Sequence, residues 1–179
     1  MRPTAVVPNG RERTFGREEI IVSKTDLRGH ITYANDVFLR VSGYSEDEVL
    51  GRPHSLIRHP DMPRAVFQLL WDEIQAGREI FAYVDNLAAT GEHYWVLAHV
   101  TPTFGPGGRI TGYHSNRRSP DPAAVRAIEP LYRELRDEER RHPTGRAAVT
   151  ASTALLRERL EARGVTYDSF VWDVIGAER

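Results

Sequence analysis

Between Ile80 and Arg117 three strand-forming runs follow one another with only turn signals between them. Ile80–Asn86 is closed by Ala88-Ala89-Thr90-Gly91. Glu92–Thr103 is closed by Phe104-Gly105-Pro106-Gly107-Gly108, and Arg109–Arg117 ends the set. Three strands so joined make an antiparallel meander. In the long middle run Tyr94, Val96, Ala98 and Val100 share one face, and His93, Trp95, Leu97, His99 and Thr101 the other. Upstream, Ile20–Thr25 and Ile31–Tyr33 flank the turn Asp26–His30 and read as a hairpin. Residues 34–76 between the two groups read as broken helix. One piece starts at Asn35-Asp36 and ends at Gly43-Tyr44, a second is capped by Ser45, and a third enters through Pro60 and Pro63. That third piece carries a Val66, Phe67, Leu70, Trp71, Ile74 stripe and ends at Gly77. Two strands, several short helices and three strands predict an α+β fold, with a five-stranded antiparallel sheet and helices over one face.

The flanks differ from this centre. Residues 1–17 hold two prolines, two glycines and four arginines without periodicity, and are expected to be a flexible tail. The globular unit is placed at 18–120 and a helical C-terminal extension at 121–179. In the extension Asp121 is an N-cap and Pro122 a first helical residue. Val125, Ile128, Leu131 and Leu135 form an apolar seam, in which Pro130 is expected to kink or split the helix. Further helices are expected over about 147–163 and 167–176. The seam is too apolar to stay in water and must pack on the sheet's outer face, on a second subunit or on the later helices; the extension is assigned to signalling or dimerisation.

Charge and composition then exclude partners. Twenty-four basic against 25 acidic residues leave a net charge of -1, which argues against duplex DNA or an anionic membrane as partner. The chain has no cysteine, so disulfides, thiolate nucleophiles and Cys-ligated metals are ruled out. No apolar run approaches the roughly 20 residues of a membrane span, and no signal-peptide core is present, so a cytoplasmic location is expected. The seven histidines show no metal-ligand spacing, and no nucleotide-binding or hydrolase motif occurs. A non-enzyme without a metal is the expectation.

The residues also carry a resemblance. Thr25–Phe38, then Val41-Ser42-Gly43-Tyr44 and Glu48–His54, look like the opening hairpin and first helices of a PAS domain. Ile57-Arg58-His59-Pro60-Asp61-Met62-Pro63 resembles more narrowly the flavin-binding PAS sensor of bacterial aerotaxis receptors. Gly91–Val96, Gly112-Tyr113 and Ile128–Tyr132 extend the match, which covers about residues 20–137. The resemblance implies a PAS fold with noncovalent FAD between sheet and helices, FMN being the weaker choice. It implies redox or oxygen sensing, and a signal that leaves by protein contact towards a chemotaxis machinery. The partner is expected to be a signalling protein or a second copy of the chain, in a homodimer. One departure is visible: the family's tryptophan beside the ring, on the strand after Gly77, is here Ile80, followed by Phe81.

A flavin needs an apolar slot, polar groups at the ring edge and a counter-charge for phosphate. Asn35 offers a donor and an acceptor on one amide and is assigned to the ring, with helix capping as its other reading. Arg58 and His59, just before a proline-started helix, are assigned to the pyrophosphate; the alternative is a loop staple between Arg58 and Asp61 or Asp36. Asp61 belongs to the same motif and is assigned with it, capping being its alternative. Phe67, Trp71 and Trp95 are the candidate walls of the slot, although aromatics at helical spacing are commonly core. Two rival readings remain: a PAS interaction module with an empty or small-molecule pocket, and a haem PAS domain with His54, His59 or His114 as axial ligand.

Overall fold

The computed structural model describes residues 6–176. Five strands form one antiparallel sheet: β1 (Ile21–Thr25), β2 (Ile31–Ala34), β3 (Ile80–Leu87), β4 (His93–Phe104) and β5 (Ile110–Arg118), in the order β2-β1-β5-β4-β3. The meander expected from the turns is present, and β5 then pairs across to β1, so the chain's two β regions close into one sheet.

Three short helices and a single 3-10 turn cover one face. Helix α1 (Asp36–Ser42) starts at Asn35, whose side chain accepts from the Phe38 N–H. Helix α2 (Glu46–Val49) is opened by Ser45, whose N–H donates to the Glu48 carboxylate at 2.9 Å. The 3-10 turn is His54–Ile57. Helix α3 (Arg64–Gln75) starts one residue after Pro63 and buries Ala65, Val66 and Ile74 against the sheet. The core formed beneath it includes Phe38, Val41, Val49, Ile57, Val96 and Ala98.

The first residues are not a loose tail. Asn9 N–H donates to the Gly91 carbonyl, and His93 and Arg11–Arg13 exchange two backbone hydrogen bonds of 2.7 and 2.9 Å. The reason lies in the register: β5 ends at Arg118 opposite Leu97, so the start of β4 has no partner on that side. Residues 9–13 fill the gap, and Arg13 fixes them through Glu92 and the Val41 carbonyl. Gly91 permits the approach. With φ 88° it is left-handed, and a Cβ there would stand 2.5 Å from the Val7 carbonyl. Residues 1–5 of the expected flexible segment lie outside the described residues.

The extension folds back onto its own domain. Helix α4 (Pro122–Arg140) runs on through Pro130 without a break in its assigned span, with Ile128, Leu131 and Leu135 buried on either side of it. Of the expected kink or split, the split does not occur: burial of the seam on both sides of Pro130 holds the two halves in one helix. Helix α4 meets the sheet face opposite α3: Tyr132 stacks on Trp95 at 6.2 Å, and its hydroxyl donates to the Tyr83 carbonyl at 2.7 Å. Helix α5 (Gly145–Ala162) packs on α4 and α3, and α6 (Tyr167–Gly176) packs on β3. The three helices therefore wrap the β3 edge. Among the described residues no helix is long and apolar enough to cross a membrane.

Candidate functional site

A cavity of about 220 Å³ lies between the sheet and α3. That is below the roughly 300–1,000 Å³ of sites that enclose a drug-sized ligand, so it has room for a ring system rather than a whole dinucleotide. Alternation along the strands decides what enters it. Val84, Asn86, Ala98, Val100, Ser115 and Arg117 point inward, and Phe67, Leu70, Trp71 and Ile74 of α3 face them. Trp71 packs edge-on against Tyr113, centroids 5.5 Å apart. The β1–β2 turn comes close to it: Gly29 has φ 79°, and a Cβ there would meet the Trp71 ring at 3.0 Å.

The polar groups are unusual for such a slot. Arg58 Nε, Asn86 Nδ2, Ser115 Oγ and Arg117 Nη1 are buried without hydrogen-bond partners, and all four residues line this one cavity. Buried polar atoms are normally paired, so four orphans round an apolar slot are what a polar-edged ring would satisfy. The Arg58 guanidinium lies over the Phe67 ring at 3.7 Å. Burial, then the nearby Arg64, lowers it from its ordinary value. Burial brings Arg117 down to about 10, so it stays charged at neutral pH. His54 is pushed well below the usual histidine range by burial and then by Arg117 and Arg58, which keeps it neutral.

Of the residues assigned from sequence, Arg58, Phe67 and Trp71 line this cavity. Asn35, His59, Asp61 and Trp95 do not. The Asn35 amide is used locally: Oδ1 accepts from Val22 and Phe38 N–H, and Nδ2 donates to the Ile20 carbonyl, which ties α1 to β1. Trp95 is on the other sheet face under Tyr132. His59 and Asp61 line a cleft on that side with Asp85 and His93. His59 Nδ1 accepts from the Asp61 N–H at 3.1 Å, and His93 Nδ1 lies 3.1 Å from Asp85 Oδ1. Asp61 pairs with Arg136 and Arg140 of α4 at 2.9 and 3.5 Å, so the alternative staple from Arg58 to Asp61 does not form.

The helix start assigned to pyrophosphate already holds an anion. The Glu139 carboxylate of α4 accepts from the Arg64 and Ala65 N–H groups at 2.6 and 3.2 Å, and from Ser152 of α5 at 2.9 Å. Phe81, next to the position where the family's tryptophan is missing, is also outside the cavity: it stacks on His99 at 4.1 Å and touches Trp172. The aromatic walls come from α3 alone, with Tyr113. Sequence reasoning missed Ser23, Asn86, Ser115 and Arg117. The signal was available in β5, where Tyr113, Ser115 and Arg117 share the inward face. Among the described residues no group of three or more His, Asp or Glu is placed to hold a metal ion.

Fold and cavity together define an α+β domain with an internal pocket of ring-system size, and the comparisons say what it is similar to. Residues 31–116 match the family model described as PAS fold, and the five-stranded antiparallel sheet with its covering helices is that fold. It is similar to the aerotaxis receptor of Escherichia coli (strain K12), 43% identical over 115 residues, which is 64% of this chain and 22% of the receptor. The nitrogen fixation regulatory protein of Klebsiella pneumoniae is 31% identical over 99 residues, 55% of this chain and 20% of that protein. The chain thus spans about a fifth of the length of these relatives. Among solved structures, the light state of the blue-light photoreceptor Aureochrome1 LOV aligns with TM-score 0.56 and 25% identity, covering 62% of this chain and 88% of that one.

Proposed function

We propose that the chain is a redox or oxygen sensor that holds FAD, with FMN the weaker choice, and reports its state by protein contact. The observation that carries this is the set of four orphaned polar atoms round one aromatic-walled slot. A flavin supplies a ring whose hydrogen-bonding edge changes on reduction. Asn86, Ser115 and Arg117 would hold that edge, and Trp71 and Phe67, which line the cavity, would wall the ring and exclude water. With the α3 start occupied by Glu139, Arg58 and the exposed Arg28 are the cations left at the cavity for a phosphate. The 43% identity to the aerotaxis receptor supports the same reading.

The rivals are less well served. His54 Nε2 takes a hydrogen bond from Arg117 at 2.6 Å, so the lone pair a haem iron needs is already used. Ser23 and His54 stand 3.0 Å apart as a nucleophile and base do, but Arg117 donates to both and blocks proton pickup; we therefore read the site as a receiver, not an enzyme. Without cysteine, no thiol can add to a flavin ring.

The route outward follows from contacts already described. The segment after Arg58 is gripped by α4 through Asp61 with Arg136 and Arg140, and through Glu139. A change at Arg58 would reach α4 within a few residues. A second copy or a signalling protein would then read α4–α6, in the cytoplasm. The test is an absorption spectrum of the purified protein, with chromatography of the cofactor released on denaturation. A flavin spectrum and released FAD support the reading. A protein that stays colourless after incubation with FAD and FMN overturns it.

A further inference from the structure

Arg117 is the most anomalous side chain of the fold. It sits on β5 between Ile21 of β1 and Ala98 of β4, with 4% of its surface exposed. A buried charge is normally paired, because desolvating it alone is severely unfavourable. Among the described residues no carboxylate pairs with Arg117. Its Nη2 donates to Ser23 Oγ at 2.8 Å and to His54 Nε2 at 2.6 Å, and its Nη1 has no partner. Both acceptors are neutral. A guanidinium can only donate, so His54 accepts on Nε2 and carries its own proton on Nδ1.

The other groups facing this point do not supply the missing charge. His54 comes from the 3-10 turn and Arg58 from the segment after it. Tyr94 of β4 has its hydroxyl held protonated by burial, and α1 contributes the Phe38 ring, 5.8 Å from the guanidinium. Three cations, the buried Arg58 and Arg117 and the exposed Arg28, and no anion therefore line one apolar slot. The negative charge that the site lacks has to come from what binds there.

We propose that Arg117 sets the charge of the reduced cofactor: its buried guanidinium stabilises the negative charge that a flavin ring gains on reduction, so that the reduced ring stays deprotonated at N1. The inference rests on the flavin reading of the cavity. Two electrons from an external reductant such as dithionite, with one proton added at N5, turn the neutral oxidised ring into an anion. A second proton, at N1, would neutralise it, and beside Arg117 that proton is not taken up.

The test is the midpoint potential of flavin-loaded protein against pH, over the neutral range, for the parent, Arg117→Lys and Arg117→Gln. A tenfold change in a two-electron equilibrium is about 30 mV, so uptake of one proton gives a slope of about 30 mV per pH unit and of two protons about 59 mV. The parent and Arg117→Lys are expected at the lower slope. Arg117→Gln is expected to be steeper on the acid side. Its reduced flavin should be weakened, relative to oxidised flavin, by about tenfold to hundredfold, a midpoint lower by about 30–60 mV. Without flavin, Arg117→Gln should melt no lower than the parent, since an uncompensated buried charge has gone. If Arg117→Gln takes up no flavin, the slopes of the parent and Arg117→Lys decide. A flavin-loaded parent with the steep slope, or a Gln variant with unchanged slope and midpoint, overturns this inference and leaves the flavin reading standing. A parent that takes up neither FAD nor FMN overturns both.

Discussion

Replacing Glu139 should loosen the grip of the extension on the sheet domain. One carboxylate oxygen of α4 accepts the first two free N–H groups of α3 and the Ser152 hydroxyl of α5, so three helices meet at one atom. Loss of an N-terminal cap costs about 0.5–2 kcal/mol, and a further hydrogen bond about 0.5–1.5 kcal/mol. Glu139 is half-buried, so solvent takes back part of this. A total near 2 kcal/mol follows for Glu139→Ala. For a domain of this size that lowers Tm by about 4–8 °C. Glu139→Gln keeps an acceptor oxygen but loses the charge that suits a helix start, and should fall about halfway. Thermal unfolding followed by circular dichroism measures both. Limited proteolysis should cut the 141–145 connection before the sheet in the Ala variant, because local opening precedes global unfolding. If both variants melt with the parent and resist protease equally, Glu139 does not cap α3 and the grip is not there.

Gly29→Ala should reduce ligand uptake while the sheet still forms. The residue has φ 79° and its Cβ would meet Trp71 at 3.0 Å, so strain of about 1–2 kcal/mol adds to a displaced ring; flavin titration measures this, and unchanged uptake counts against Trp71 as a wall. Arg58→Ala should weaken cofactor retention by about tenfold to hundredfold with a smaller change in Tm, and equal occupancy would remove Arg58 from the site. Asp85→Asn should flatten the dependence of Tm on pH between about 4 and 6. Burial raises this carboxyl from 3.8 to about 6, with His93 opposing, so the unfolded chain gives up a proton there that the folded one keeps, and stability falls as pH rises through the window. The variant should gain at most about 3 kcal/mol at neutral pH; a profile parallel to that of the parent would refute it.

The hairpin and the three-strand meander, the helix starts at Asn35, Ser45 and Asp121 and the C-terminal helices were legible because each is local: a turn, a cap or a periodic stripe within a few residues. What escaped was non-local. Glu139 caps a helix 75 residues away, and nothing near Pro63 shows that its anion site is already filled. Residues 9–13 bind through backbone groups at the start of β4, which leaves no side-chain period to read. Arg117 is the next-to-last residue of its strand, where arginine is usually solvated, and only the register with Ala98 and Ile21 puts it inside. Asn35 shows the limit of residue chemistry. Its amide suits a ring edge, and the same donor and acceptor are used to tie α1 to β1.

The central claim is that the cavity's state reaches α4 through the segment after Arg58. Hydrogen exchange of flavin-loaded protein, oxidised against reduced, measures it directly. A coupling of about 1–3 kcal/mol corresponds to exchange rates changed about 5- to 150-fold. The account predicts such a change at residues 59–65 and 132–152, with β2 as an unaffected reference. Equal protection of those segments in both redox states would contradict it.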